Sequence, residues 1–187
     1  MPIAKKLHSH LSHHKVSFEV VEHKKVFTAY DLAQTLGASL DQIAKSLLVR
    51  VEFPAVQKKK PGYYVVVLPA SYRLDLLKLM KALKAAAVKL APEKVMKKLD
   101  IEPGALTPFG SMRGLGVVVD KGLLKMKDVF VGAESFTESL RMKAKDLVKV
   151  EQPTLASIGK KSALKLQKKM KKIVKKIKKL VKKSKKR

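Results

Sequence analysis

The run YYVVVLPA, from Tyr63 to Ala70, constrains the fold of this chain more than any other stretch. It has no charged side chain, is rich in β-branched and aromatic residues, and follows the turn signal Pro61-Gly62. Such a segment reads as a buried strand, and at this length it falls far short of the ~20 apolar residues that span a bilayer. The rest of the body must supply the layers that cover it.

The flanking sequence mixes both periodicities. Ile3, Leu7 and Leu11 recur at about one turn and predict a helix over residues 3–15. VSFEVVEH, residues 16–23, predicts a strand. TAYDLAQTLG predicts a helix with Thr28 as N-cap, Asp31 three residues on, and Gly37 just past its end. SLDQIAKS reads as a further short helix capped by Ser39, and SLLVRVEF as a strand. Helices are expected over residues 74–84 and 92–99, the second with Pro92 in its first turn. GVVVD, the DVFVGA segment and SLRM read as strands, and KAKDLVKVE as a last helix. There is no clean βαβα alternation, so the expected class is α+β, a mostly antiparallel or mixed sheet with helices against it.

Charge divides the chain in two. The net charge is +27, and residues 157–187 hold 16 basic residues and no acidic one, which leaves +11 for residues 1–156. We therefore read residues 1–156 as the folded domain and 157–187 as a basic tail. Within the tail, Ala163, Leu166, Met170, Ile173, Val174, Ile177, Leu180 and Val181 form one apolar stripe on a helix. Its other faces carry lysines, among them Lys168, Lys169, Lys171, Lys172, Lys175 and Lys176. A field of this sign attracts polyanions, nucleic acid first and anionic membrane second.

Several chemistries are excluded or weak. With no cysteine, disulfides, thiolate catalysis and thiolate metal sites are impossible. The N-terminus lacks the apolar core of a signal peptide, and the expected location is the cytoplasm. His8, His10, His13 and His14 cluster in HSHLSHH, with His10 and His14 one helical turn apart, but no neighbouring carboxylate in the sequence completes a metal site. No serine–histidine–acid arrangement, phosphate-binding glycine motif or nucleophile elbow is present.

Two features remain. Lys45 stands alone among Ile43, Ala44, Leu47 and Leu48, so it either snorkels to solvent or points into a pocket as a fixed cation. GALTPFG, Gly104 to Gly110, is either a tight connection or a cradle of backbone N–H groups for a carbonyl oxygen or phosphate.

Their order and spacing resemble the YbaK family of aminoacyl-tRNA editing domains, which includes the editing insertion of bacterial prolyl-tRNA synthetases and its free-standing relatives. FTAYDLAQTLGASLDQIAKSLLVRV is similar to the family segment that carries a lysine, here Lys45. YYVVVLPASYRLDLLKL is similar to its central strand and following helix, and EPGALTPFG to its GxxxP loop, here Gly104 to Pro108. VVVDKGLLKMKDVFVGAESFTESLRMKAKDLVKV is similar to its closing strands and helix, so the resemblance covers residues 3–152.

The resemblance implies an α+β domain built on a curved mixed sheet with a central pocket. It implies hydrolysis of the ester that joins a wrong amino acid to tRNA, with no metal or cofactor, and with a water activated largely by the substrate's ribose hydroxyl. Lys45 and Gly104 would serve the reaction. Thr28, Thr107, Pro108, Phe109, Gly110 and Gly132 would contact the substrate. The sequence departs from relatives near Gly132, where serine is frequent, and around Ser139, where an acidic residue is replaced. The implied partners are mischarged tRNA and a synthetase, with the tail adding general affinity for tRNA. The alternative is a non-catalytic nucleic-acid-binding protein on the same fold.

Overall fold

The computed structural model describes residues 5–161. Ten strands and five helices follow in chain order: α1 Lys5–His13, β1 Phe18–Glu22, α2 Ala29–Leu36, β2 Ile43–Glu52, β3 Gly62–Pro69, β4 Tyr72–Leu74, α3 Leu76–Leu83, β5 Ala87–Leu90, α4 Glu93–Lys98, β6 Gly116–Asp120, β7 Asp128–Gly132, β8 Glu138–Lys143, α5 Ala144–Glu151, β9 Thr154–Ala156 and β10 Gly159–Lys161. Seven strands lie in the order β1-β8-β7-β2-β3-β6-β9, and β5 adds to β2 as an eighth. The sheet is mixed: β2 is antiparallel to β3 and β5 but parallel to β7, and β6 is parallel to both β3 and β9. The class is α+β, as the sequence predicts.

The opening run is the third strand, and Val65, Val66, Val67 and Leu68 have no exposed surface. Because strand side chains alternate, Val65 and Val67 enter one core while Val66 and Leu68 enter another. The first core gathers α1 and α5 through Leu7, Leu11, Leu147 and Val150, and the second gathers α3 through Leu79. Burial of each such side chain stabilises the fold by about 1.5–3 kcal/mol before conformational entropy is subtracted.

Helix ends follow the sequence closely. Thr28 Oγ1 accepts from the Asp31 N–H at 3.1 Å, and Gly37 closes α2 at φ 62°. Asp75 caps α3 by accepting from Leu77 and Lys78. Its carboxyl is held below the usual range, first by a hydrogen bond from Lys160, against the opposing effect of burial. Pro92 is the N-cap of α4 rather than a first-turn residue.

Three expectations are corrected. SLDQIAKS is not a helix: Ser39 and Gln42 close one turn through N–H and hydroxyl bonds to the Gln42 side chain, and β2 already starts at Ile43. Strand pairing of Ile43 and Ala44 with Phe130 and Val131 outweighs the local helical pattern. The short strands β4, β5, β9 and β10 went unpredicted, since three or four residues carry too little periodicity. The domain also runs past residue 156: Ile158 is fully buried, and β10 pairs with β4. The tail lysines Lys168, Lys169, Lys171, Lys172, Lys175 and Lys176 lie outside the described residues.

Asp120 holds this extension in place. Its buried carboxylate accepts from the N–H groups of Gly122, Ile158 and Gly159 at 2.6–2.7 Å. Asp120→Ala leaves three backbone donors unpaired and is expected to lower stability by about 3 kcal/mol or more in urea unfolding, with Asp120→Asn losing less. A loss below about 0.5 kcal/mol for the alanine variant would contradict this role.

Candidate functional site

The site starts from an interruption in β2. One edge of this strand pairs with β3 almost throughout. The other edge pairs with β7 at Ile43 and Ala44 and with β5 from Val49 to Glu52, and among the described residues no strand covers it in between. The flanking bonds run to the carbonyls of Gln42, at 2.8 Å from Phe130 N, and Leu48, at 2.9 Å from Ala91 N. By alternation, the N–H and C=O of Ser46 face the split.

A cavity of about 400 Å³ opens there. Its walls come from the β1–α2 connection and α2 (His23, Phe27, Thr28), from Lys45 to Leu48, from Pro103 to Leu106, and from Gly132, Ser135, Phe136 and Ser139. Register aligns its floor. Ala44 pairs with Val131 and Gly132 with Ser139, so Lys45, Gly132 and Ser139 share one face of the sheet across three strands.

Lys45 is half-buried, and its Nζ donates to the Tyr72 carbonyl at 2.8 Å. Its pKa is lowered, first by burial and then by the repulsion of Arg73. The ammonium therefore stands in a partly dry environment with one carbonyl partner, where a fixed cation acts strongly on an anionic ligand. Glu93 is the other charged residue on the wall.

The GALTPFG segment splits into two parts. Gly104 lines the cavity at φ 93°, a backbone state that favours glycine. A Cβ there would stand 3.2 Å from the Phe136 ring. Leu106 packs its carbonyl over Gly132, where an added Cβ would lie 3.0 Å away. Beyond this point the chain leaves the cavity. Thr107, Pro108, Phe109 and Gly110, expected as substrate contacts, are buried and absent from its walls. Phe109 has no exposed surface and meets His10 edge-on at 6.0 Å, and a Cβ at Gly110 would stand 2.8 Å from Val117 Cγ2. These residues anchor the loop in the core. Thr28 and Gly132 do line the cavity, together with Lys45 and Gly104.

Other parts of the site had no sequence signal. Arg113 donates to Glu134 Oε1 at 2.5 Å and to the carbonyls of Leu99 and Asp100, which ties the cavity loop to the β7–β8 turn. Phe27, 63% exposed, packs against Phe136 at 5.0 Å on the rim, with Lys25 Nζ 5.3 Å from its ring centre. Ser46 Oγ and Thr107 Oγ1 are buried without hydrogen-bond partners among the described residues. The histidine cluster behaves differently from its sequence reading. His10 meets the buried Glu151 at 3.4 Å, a carboxylate from far along the chain, and Ser111 shares that carboxylate. Among the described residues no group of three histidine or carboxylate side chains is placed to hold a metal ion.

Comparison with known proteins places this geometry. The family model described as "Aminoacyl-tRNA editing domain" matches residues 23–150. A proline–tRNA ligase from Thermosipho melanesiensis is 31% identical over 115 residues, 61% of this chain and 19% of the ligase. The chain thus spans about a fifth of the ligases it matches. The prolyl-tRNA editing protein ProX from Acetoanaerobium sticklandii is 26% identical over 141 residues, covering 73% of this chain and 82% of that protein. The crystal structure of a candidate trans-editing enzyme for prolyl tRNA synthetase superposes with a TM-score of 0.72 at 26% identity, over 86% of this chain and 98% of that one.

The two left-handed glycines near the loop separate backbone strain from crowding. Gly104 and Gly114 both have positive φ, but nothing lies within 4 Å of a Cβ at Gly114. Gly114→Ala is expected to cost about 1 kcal/mol from backbone strain alone. Gly104→Ala adds contact with Phe136, so its thermal unfolding midpoint should fall further. Equal midpoints for the two variants would refute the close approach.

Proposed function

The chain belongs to the aminoacyl-tRNA editing domain family, and we propose that it is a trans-acting aminoacyl-tRNA deacylase that hydrolyses the ester of mischarged tRNA in the cytoplasm. The observation that carries this reading is the split edge of β2, which sets the Lys45 cation beside backbone that neither β7 nor β5 pairs and a glycine loop in one cavity. An aminoacyl ester is already activated. Hydrolysis asks for a held carbonyl, a positioned water and stabilisation of the oxyanion, all of which oriented N–H groups and a fixed cation can supply.

In this reading the 3′-terminal nucleotide enters past Phe27, whose exposed ring suits a stacked base and rests on the half-buried Phe136, and Lys25 stands beside Phe27 for a phosphate. Lys45 fixes an anionic oxygen of the substrate. Gly104 lets the loop backbone approach the ester with no side chain between. The amino acid meets apolar walls that include Leu32, Ile43 and Leu106. Such walls separate substrates differing by one methylene by about 1–3 kcal/mol, so selection by size is modest and rests on the tightness of this pocket. The ligases and the ProX protein among the relatives favour a prolyl-tRNA as the carrier and a synthetase as a working partner. The lysine tail, residues 162–187, adds general tRNA affinity through its charge.

Deacylation of a panel of mischarged tRNAs tests the reading. The full chain should hydrolyse at least one of them, and Lys45→Ala should lower kcat/KM by about a hundredfold. Wild-type rates for Lys45→Ala on every substrate would remove Lys45 from the site. Tight, salt-sensitive binding to any duplex with no deacylation would instead favour the non-catalytic nucleic-acid-binding reading.

Removal of residues 162–187 tests the tail separately. It should weaken tRNA binding and flatten its salt dependence, while kcat on saturating substrate stays unchanged. An unaltered salt slope would exclude the tail from tRNA contact.

A further inference from the structure

The cavity that holds Lys45 has a neighbour. A second cavity, of about 380 Å³, shares Val26 and Phe27 with it. Val26 is nearly buried, whereas the Phe27 ring is exposed and belongs to both walls. The rest of the second wall is polar. Lys24 and Lys25 come from the connection after β1, and Asp31, Gln34 and Thr35 from one face of α2, three and four residues apart. Lys24, Lys25, Asp31 and Gln34 are all exposed, so a solute can reach them.

This wall has its shape without a ligand. The N–H groups of His23 and Val26 donate to the Thr137 and Phe136 carbonyls at 2.8 and 3.0 Å, which pins the lysine-bearing connection to the β7–β8 turn. The His23 ring adds a bridge: its Nε2 lies 3.0 Å from Ser139 Oγ on β8, and its Nδ1 donates to the Lys24 carbonyl at 2.9 Å. On α2, the Thr28 hydroxyl donates to Asp31 Oδ2 at 2.7 Å. Gln34 Nε2 donates to the Tyr30 hydroxyl at 3.3 Å, which leaves Gln34 Oε1 to accept.

Cations, an exposed aromatic ring and side-chain acceptors in one wall fit a nucleotide better than a bare anion. A phosphate alone would find no use for Gln34 Oε1 and would be repelled by Asp31. A nucleotide with an exocyclic amino group offers that donor to the two acceptors, while its ring packs on the aromatic and its phosphate meets the lysines. Continuity of the strand decides which nucleotide. A chain whose last nucleotide sits in the first cavity leads away past Phe27, and a ring placed between two bases takes up one stacking interval, about 3.4 Å. The second cavity then receives the nucleotide before the last, which in tRNA is a cytidine. We propose that this cavity is the subsite for the penultimate nucleotide of the tRNA 3′ end, an inference that rests on the deacylase reading above. Gln34 and Asp31 accept from the cytosine amino group, and Lys24 and Lys25 face the linking phosphate. An aminoacyl-adenylate has no preceding nucleotide and gains nothing here, so the subsite favours amino acids already joined to tRNA.

Two measurements on the full chain test the subsite. The first compares hydrolysis of aminoacyl-adenosine with that of aminoacylated cytidylyl-adenosine carrying the same amino acid. The ratio of their kcat/KM values cancels whatever a variant does in the first cavity. Wild-type protein should favour the dinucleotide by about tenfold or more, and the combined variant Lys24→Ala, Gln34→Ala should bring the ratio close to one. Uridine in place of cytidine puts an acceptor where the amino donor was, which should cost wild-type protein about threefold and Gln34→Ala nothing. Hydrolysis of both compounds by wild-type protein at equal kcat/KM would overturn the subsite and leave the deacylase reading standing, as would a tenfold ratio untouched by the double variant. The second measurement needs no reaction. Unacylated cytidylyl-adenosine should shift the NMR signals of the Gln34 side-chain amide, and adenosine alone should not. No shift, or the same shift with adenosine, refutes the site whatever the activity. If the shift holds while no aminoacyl ester is hydrolysed, the deacylase reading fails and the cavity stands as a nucleotide site of a non-catalytic protein.

Discussion

The site depends on a strand edge that two different partners share. β2 is paired along one side by β3, and its other side is taken by β7 at one end and β5 at the other. Between them a short length of backbone has no strand neighbour among the described residues. In a buried sheet, unpaired N–H and C=O groups are costly, so they persist where water or a ligand can reach them. Here the cavity opens at that point. The parallel pairing of β2 with β7 and the antiparallel pairing with β5 draw the two neighbours apart. The pocket is thus a consequence of sheet topology rather than of a loop laid over a finished surface.

This origin explains why the walls combine apolar bulk with so few charges. The residues of β2 must alternate between two cores, and Ala44, Leu48 and Val49 are all nearly or wholly buried. Lys45 occupies a position on the face that the second core uses further along the strand, and its Nζ donates to the Tyr72 carbonyl. Burial and Arg73 both work against the ammonium. An anionic substrate group would relieve that imbalance, so the same feature that makes Lys45 unfavourable in the empty pocket favours binding.

The sequence disclosed the site unevenly, for physical reasons. Lys45 and Gly104 both line the cavity; the residues alone left each open, a single lysine in an apolar run and a glycine in a loop, and the family resemblance singled them out. The strand YYVVVLPA and the caps of α2 were legible because they are local. Phe109 and Gly110 were misplaced because a GxxxP-like loop does not tell which residues face a cavity and which face the core. That depends on Val65 and Val117, contributed by distant strands. The helix expected over SLDQIAKS gave way to pairing with β7, more than 80 residues downstream, and β5 was hidden by the lysine in its short sequence AVKL. His23 and Ser139 are individually unremarkable. Only the meeting of β1 with β8 makes them a pair.

Arg113 shows how the loops around such a pocket acquire a fixed shape. Asp100 and Glu134 both adopt left-handed backbone conformations, at φ 52° and 59°, and neither is glycine. Each costs about 1 kcal/mol or more. Arg113 reaches both turns, donating to the Asp100 carbonyl and to the Glu134 carboxylate, and also to the carbonyl at the end of α4. A planar guanidinium can satisfy three such acceptors at once where an ammonium cannot match their directions. The half-buried ion pair with Glu134 offsets the strain in the turn that leads into Ser135 and Phe136. Phe136 in turn limits the space at Gly104 and supports Phe27 on the rim. A side chain with no place in the cavity thereby sets the distance between two of its walls. In a site proposed to act by positioning, that distance is part of the chemistry.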